Sequence, residues 1–249
     1  MKMIDIEKVR KSAQKRVDEK IKEKINSIEV LLSLIGISHD ELLELYEGES
    51  FRDSNVLKKE LFDKLLTNQL VQEDKEFLSE RINLVNSRQK DNRTPLEYSV
   101  DLIIGWLEED AIRAYLLSKG IKIELNGSDS KREFLTQREL STKSDFIIGN
   151  KLVEIVFDRS DHWMTHKKVD LRDKKYERLV EEKSILLGLA PTSGMGFWID
   201  VTDPTYEFSE KYIPGYGKPG YSFPNINNYM YPIKEVLDNF CDFLKKNEI

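Results

Sequence analysis

The chain has 249 residues, of which 39% are hydrophobic and 34% are charged, with 39 Lys and Arg against 45 Asp and Glu. This composition suits a globular fold with a sizeable core, and the net charge of -6 argues against a protein that coats nucleic acid through bulk positive charge. The single cysteine, Cys241, excludes an intramolecular disulfide and a cysteine-based zinc site. Because the sequence shows neither a signal segment nor a run of roughly 18 apolar residues, we expect a cytoplasmic protein with no membrane partner.

Residues 5–90 have the pattern of successive helices. Leucine and isoleucine recur at helical spacing, for example at Leu31 and Ile35, and charged residues occupy the remaining positions. Gly36 and Gly48 divide the stretch into separate helices. A helical DNA-binding arm is an alternative interpretation, but the stretch contains no helix-turn-helix signature.

The polar segment 87–93 is predicted to be a linker. We therefore predict an N-terminal helical subdomain over residues 1–93 and an α/β catalytic domain over residues 94–249. The second domain begins with a helix, because Thr94 and Glu97 have the identity and spacing of a capping box.

Short apolar segments alternate with helical patterns in the second domain. Gly149 and Asn150 lie between two of the apolar segments and predict a two-residue hairpin turn. The order of segments predicts an α/β fold with a mixed central sheet flanked by helices. The predicted elements are strands at 121–125, 145–148, 152–157, 184–190 and 196–201, helices at 168–183 and 233–246, and a long ordered loop at 203–232.

The hairpin turn sets the register of its two strands. With Gly149 and Asn150 as the turn residues, Asp145 lies directly opposite Glu154, and their Cβ atoms are about 4.5–5.5 Å apart. Facing carboxylates destabilise a sheet, and partial burial adds a desolvation cost. One protonated carboxylate or basic partners for both would relieve this cost. A divalent cation would also relieve it, because hard cations bind carboxylate oxygens, and we predict such a site.

The order of helix, strand, aspartate strand paired with a glutamate strand, helix and strand resembles the PD-(D/E)xK nuclease superfamily, which includes many type II restriction endonucleases. The resemblance covers roughly residues 95–201 and implies a restriction-endonuclease-like core. It implies that Asp145 and Glu154 bind Mg²⁺, or Mn²⁺ in its place. A glutamate from the preceding helix often joins the metal shell in this family, which makes Glu108 a third candidate ligand and Glu109 its neighbouring alternative. An exposed salt-bridging pair is the other interpretation of these two residues.

The sequence departs from the family motif at one position. The family has a lysine two residues after the second acid, where this chain has Val156. The resemblance therefore implies either a lysine supplied from elsewhere or an inactive site. In the predicted helix 168–183, Lys168 and Lys175 lie on one stripe. We predict Lys175 as the catalytic lysine and Lys168 as the next candidate, with an ordinary solvated face as the alternative.

Together these features predict a Mg²⁺-dependent endonuclease that hydrolyses DNA phosphodiester bonds. The resemblance favours a sequence-specific type II restriction enzyme that acts on double-stranded DNA as a homodimer. The basic residues of the segment 167–178 are expected to contact phosphates. The alternative is a non-catalytic nucleic-acid-binding or assembly protein with a degenerate nuclease fold, and RNA or branched DNA remains open as a substrate. Asp129 and Glu133 are weaker candidates for acidic residues of the proposed site.

Overall fold

A computed structural model describes residues 6–46, 54–83, 93–126 and 143–247. Gly48, Asp129, Glu133 and most of the predicted linker lie outside these ranges. The helices are α1 (Ile6–Ile35), α2 (His39–Glu44), α3 (Ser54–Leu66), α4 (Gln72–Asn83), α5 (Pro95–Ser118), α6 (His162–His166), α7 (Asp173–Glu181) and α8 (Ile233–Lys246). The strands are β1 (Glu124–Leu125), β2 (Phe146–Ile148), β3 (Lys151–Phe157), β4 (Lys168–Arg172), β5 (Ile185–Ala190), β6 (Met195–Asp200), β7 (Ser209–Ile213), β8 (Lys218–Pro224) and β9 (Tyr231–Pro232).

The predicted α/β fold class is confirmed. A mixed six-stranded sheet has the order β1-β2-β3-β5-β6-β9, and a three-stranded antiparallel sheet has the order β4-β8-β7. Strand β3 pairs antiparallel with β2 and parallel with β5, so it lies inside the larger sheet with neighbours on both sides. This position holds the residues of β3 firmly relative to both neighbouring strands.

Helix α5 begins as the sequence predicts. The Thr94 side chain accepts a hydrogen bond from the Glu97 amide at 3.2 Å, and the Glu97 carboxylate accepts one from the Thr94 amide at 2.8 Å. This reciprocal pair satisfies two amides that the first turn of a helix leaves without backbone partners.

Two apolar clusters cover opposite faces of the larger sheet. Val153 and Ile155 of β3 belong to the cluster that includes buried residues of α1 to α5 and of α8. Leu179 of α7 belongs to the second cluster, together with buried residues of β4 and β8. Because side chains alternate along a strand, Glu154 projects to the second face, on the side of α7. Helices α5 and α7 therefore lie on opposite sides of β3.

The N-terminal helices share the first cluster with α5 and the sheet. A polar seam also joins α1 to α5, since Lys20 binds Glu97 at 2.7 Å and Lys24 contacts Asp101. The later residue of α1 contacts the later residue of α5, so the two helices run parallel. The domain boundary at residue 93 stays a prediction, and the core is continuous across it.

The prediction of a helix over 168–183 was wrong at its beginning. Residues 168–172 form strand β4, and helix α7 starts only at Asp173. The physical reason is tertiary, because Val169 and Leu171 alternate with polar residues and enter the second apolar cluster when β4 pairs with β8. The charged residues around Val169 and Leu171 made this two-residue alternation hard to recognise in the sequence.

The prediction of a loop over 203–232 was also wrong. The segment forms strands β7 and β8, a 3₁₀ helix (Ile226–Tyr229) and strand β9. Pro219 and Gly220 lie within β8, and Gly215 and Gly217 lie in the turn between β7 and β8. A Cβ at Gly220 would lie 2.5 Å from the Leu171 carbonyl oxygen, so glycine permits the close approach of β8 to β4.

The bounds of strands β5 and β6 and of helix α8 agree with the sequence predictions to within one residue. Strand β1 is shorter than predicted. Within the described ranges, the helices are all too short or too polar to cross a membrane.

Candidate active site

The predicted register of the hairpin is confirmed. Phe146 pairs with Val153 and Ile148 pairs with Lys151 on either side of the turn. Continuing this register by one residue sets Asp145 opposite Glu154. The two carboxylates nevertheless have different surroundings, because Asp145 is half-buried and lies just before β2, whereas Glu154 is only 6% exposed.

Asp145 continues the hydrogen-bond ladder where strand β2 has not yet begun. Its Oδ2 accepts a hydrogen bond from the Ile155 amide at 2.7 Å. Its own carbonyl oxygen accepts a hydrogen bond from the Asn126 amide at 3.1 Å. The Asp145 carboxylate is thus held against the backbone of β3, one residue from Glu154.

Glu154 is neutralised by two cations from helix α7. Lys175 Nζ contacts Oε1, and Arg178 Nη2 donates a hydrogen bond to Oε2 at 2.6 Å. Residues three apart lie on the same face of a helix, which lets both cations reach one carboxylate. The sequence left open the alternative that basic residues neutralise the facing carboxylates. At Glu154 the structure has such partners, Lys175 and Arg178. An unrelieved repulsion between Glu154 and Asp145 is therefore not present.

A polar network extends from this carboxylate to the start of the aspartate strand. Arg178 Nε lies 3.9 Å from Oε2 of Glu182, and the same oxygen accepts a hydrogen bond from Ser144 Oγ at 2.8 Å. Ser144 directly precedes Asp145. The end of α7 therefore positions both acids, Glu154 through its cations and Asp145 through its neighbour.

Lys168 belongs to a different part of the site. It lies on β4, and its Nζ donates a hydrogen bond to Asp170 Oδ2 at 2.5 Å. Burial opposes ionisation of Asp170, but the hydrogen bond and the positive charge of Lys168 hold the pKa of this carboxyl below its ordinary value. The predicted helical stripe through Lys168 and Lys175 does not exist, because one residue is on a strand and the other is on a helix.

Glu108 is fully buried on α5 and is not brought together with Glu154. The guanidinium of Arg159 binds both of its carboxylate oxygens, and Ser27 Oγ donates to Oε1 at 3.4 Å. Burial raises the pKa of Glu108, and the neighbouring Arg159 charge opposes that shift. Since α5 and α7 cover opposite faces of β3, Glu108 serves a separate ion pair on the α5 side.

The donor atoms at the Asp145 and Glu154 pair are of the type that Mg²⁺ prefers. Both residues supply carboxylate oxygens, and each oxygen can accept more than one partner. A cation bound there would compete with Lys175 and Arg178 for the charge of Glu154. Among the residues that the structure describes, no three His, Cys, Asp or Glu side chains are grouped so as to hold a metal ion. The site therefore suits Mg²⁺ by the carboxylate oxygens of two residues, Asp145 and Glu154.

Sequence reasoning did not single out Arg178, although its position three residues after Lys175 is a signal once α7 is known to begin at Asp173. It also did not identify a cleft of about 410 Å³ beside Lys175. The cleft is lined by Ile155, Val156, Phe157, Trp163, Val169, Asp170, Leu171, Arg172, Lys175 and Tyr216.

Comparison of the chain with protein-family models, with curated proteins and with solved structures finds no match. The function of this mixed α/β protein is therefore inferred from the geometry of its own site.

Proposed function

We propose that this protein is a Mg²⁺-dependent endonuclease that hydrolyses DNA phosphodiester bonds at a site formed by Asp145, Glu154 and Lys175. The observation that supports the proposal is the contact between Lys175 Nζ and Glu154 Oε1. Val156 occupies the position at which the PD-(D/E)xK motif has its lysine. Helix α7 supplies an ammonium group to the same carboxylate from another direction, which is the arrangement expected of a relocated lysine.

The resemblance extends the proposal to the protein as a whole. The resemblance favours a restriction-endonuclease-like core with an N-terminal helical subdomain. It also favours a homodimer that acts on double-stranded DNA. A two-fold dimer suits the symmetric cutting of two strands.

Each residue has a distinct role in the proposed reaction. Asp145 and Glu154 would hold Mg²⁺, which when bound lowers the pKa of a coordinated water and polarises the scissile phosphate. Lys175 donates hydrogen bonds and stabilises the negative charge that develops on the phosphate oxygens. Arg178 is a positioning residue, because it holds the Glu154 carboxylate in place from the same face of α7.

Incubation of supercoiled plasmid DNA with the protein tests the proposal directly. We expect nicked and linear products in the presence of Mg²⁺ or Mn²⁺ and intact plasmid when a chelator is in excess. Cleavage that continues undiminished in excess chelator would contradict the metal-dependent mechanism.

A specific observation also favours a second candidate, a non-catalytic nucleic-acid-binding or assembly protein. Both oxygens of Glu154 already have cationic partners, and Val156 supplies no ammonium group beside the acid. Such a protein would shift the mobility of DNA in a gel at every concentration of divalent metal and would never nick it.

A further inference from the structure

The cleft beside Lys175 combines an apolar interior with a positively charged rim. Val156, Trp163 and Val169 are apolar lining residues contributed by β3, α6 and β4. Its volume of about 410 Å³ is in the range of small-ligand sites, roughly 300–1000 Å³. A group of modest size would fit a cleft of this volume.

The cationic residues of the cleft lie toward its rim, whereas the Asp170 side chain is nearly buried. Arg172 is exposed, and its guanidinium lies over the Tyr216 ring at 5.5 Å from the ring centroid. Tyr216 donates a hydrogen bond from its hydroxyl to the Asp170 carbonyl oxygen at 2.7 Å, which holds the ring at the mouth of the cleft. Lys168 binds the Asp170 carboxylate and offsets its charge, so Arg172 and Lys175 give the rim a positive character.

We propose that this cleft binds one unpaired nucleotide of the substrate strand, with the base in the apolar interior and its phosphate at Arg172 and Lys175. Bases of any sequence stack on aromatic side chains and pack on apolar ones, and cationic side chains bind the phosphates. This inference rests on the proposed function for the nature of the substrate, and it adds that the substrate carries a base outside a helical stack.

Lys175 connects the cleft with the acids. The residue lines the cleft and also contacts Glu154, so a phosphate held at Lys175 lies next to the carboxylate pair. A base inside an intact duplex would first have to leave the stack before it could enter the cleft, and this step costs free energy. We therefore infer that within a double-stranded substrate the cleft takes up a nucleotide displaced from the stack, and that single-stranded DNA or RNA binds the cleft more tightly because it needs no such displacement.

Binding measured in EDTA tests the inference separately from catalysis. The probes are a short single-stranded DNA oligonucleotide, its RNA counterpart, a duplex of the same sequence, and a single strand with abasic sites in place of bases. We expect the single strand to bind at least about tenfold more tightly than the duplex. Abasic sites should weaken binding roughly five- to hundredfold, the effect of losing one stacked base. Equal binding of the intact and abasic strands would overturn the inference.

Two variants locate the binding. Val156→Phe fills the interior of the cleft, and Arg172→Gln removes a charge from its rim. Lys246→Gln is a charge-matched control at the exposed end of α8, outside the basic segment 167–178. Each cleft variant should weaken binding of the single strand at least about fivefold, and the control should change it less than about twofold. Melting curves establish whether Val156→Phe is folded, and Arg172→Gln provides the test if it is not. Unchanged affinity in Arg172→Gln would overturn the proposed site.

The metal-dependent cleavage assay separates the two proposals. Base-dependent binding in EDTA without cleavage in Mg²⁺ would support the nucleotide cleft and contradict the nuclease. Cleavage by a folded Val156→Phe variant at the wild-type rate would support the nuclease and contradict the cleft.

Discussion

Lys175 of helix α7 contacts the carboxylate of Glu154 on strand β3, although Lys175 follows Glu154 by 21 positions in the sequence and the PD-(D/E)xK motif has its lysine where this chain has Val156. The contact exists because α7 covers the face of the sheet to which Glu154 projects. The Lys175 side chain is 31% exposed and the Glu154 side chain is 7% exposed, so the ammonium group lies at the boundary between the buried acid and solvent.

The first prediction concerns Lys175 in catalysis. Lys175→Ala should reduce the rate of plasmid cleavage in Mg²⁺ by about 10²- to 10³-fold, the usual effect of removing one donor that stabilises developing charge. Lys246→Ala is the matched control, because Lys246 is exposed at the end of α8, outside the proposed site, and should retain full activity. Lys168→Ala should lose less than about tenfold, since Lys168 binds Asp170 rather than Glu154. Full activity of Lys175→Ala would exclude it as the relocated lysine.

The second prediction concerns the stability of the metal-free protein. Glu154→Gln removes the charge that Lys175 and Arg178 share, and the two cations remain partly buried. Breaking a buried pair costs about 3–5 kcal/mol, and the 31% and 21% exposure of the cations reduces the expected loss to about 1–3 kcal/mol in the free energy of unfolding. Urea denaturation in EDTA measures this difference. A variant as stable as wild type would show that the ion pairs contribute no net stability.

Mg²⁺ should have a separate effect on these two proteins. Because a ligand that binds only the folded state stabilises it by mass action, Mg²⁺ should raise the melting temperature of wild type and have much less effect on Glu154→Gln. Identical responses of the two proteins would contradict a metal site at Glu154.

The third prediction distinguishes the two functions of Asp145. Asp145→Asn keeps an oxygen that can accept the Ile155 amide, so we expect a stability change below about 1 kcal/mol. Asp145→Ala removes that acceptor and should cost about 1–3 kcal/mol, because the amide loses its partner. Both variants should be inactive in the plasmid assay if Asp145 holds the metal. An active Asp145→Asn would restrict Asp145 to a structural role.

The fourth prediction concerns the separate ion pair on the α5 side. Glu108→Gln should lower the free energy of unfolding by about 1–3 kcal/mol, because it leaves the partly exposed Arg159 without its charged partner. The double variant Glu108→Met with Arg159→Met should recover much of that loss, since removing both charges leaves neither one uncompensated. The Mg²⁺ concentration needed for half-maximal stabilisation should not change in the double variant. A large increase would indicate that Glu108 contributes to the metal site.

The fifth prediction concerns acid stability at the junction of α1 and α5. Burial opposes ionisation of Glu97, but hydrogen bonds from Lys20 and Thr94 outweigh it and hold its pKa at about 2. A pKa below the ordinary value of 4.5 stabilises the fold above pH 4.5, and this contribution is lost as the pH falls toward 2. The solvent exposure of Lys20 limits the contribution to about 1–3 kcal/mol. Glu97→Gln keeps the capping acceptor and should make the decline between pH 4.5 and 2 shallower. An unchanged acid profile would contradict this assignment.

Local sequence determined the elements whose signals lie within a few residues. The capping box at Thr94 predicted the start of α5, and Gly149 with Asn150 predicted the turn and therefore the register that sets Asp145 opposite Glu154. These features depend on backbone hydrogen bonds between near neighbours, so they can be inferred without knowledge of the tertiary fold.

Tertiary packing decided the features that depend on distant partners. Residues 168–172 are a strand because β8, about fifty residues later, pairs with them and buries Val169 and Leu171. The separation of Glu108 from Glu154 depends on which face of β3 each helix covers, and the side-chain alternation of one strand does not specify that. The pairing of Glu154 with Lys175 and Arg178 likewise required α7 to pack on the sheet, because the position of a charged partner is set by the fold and not by its spacing in the chain.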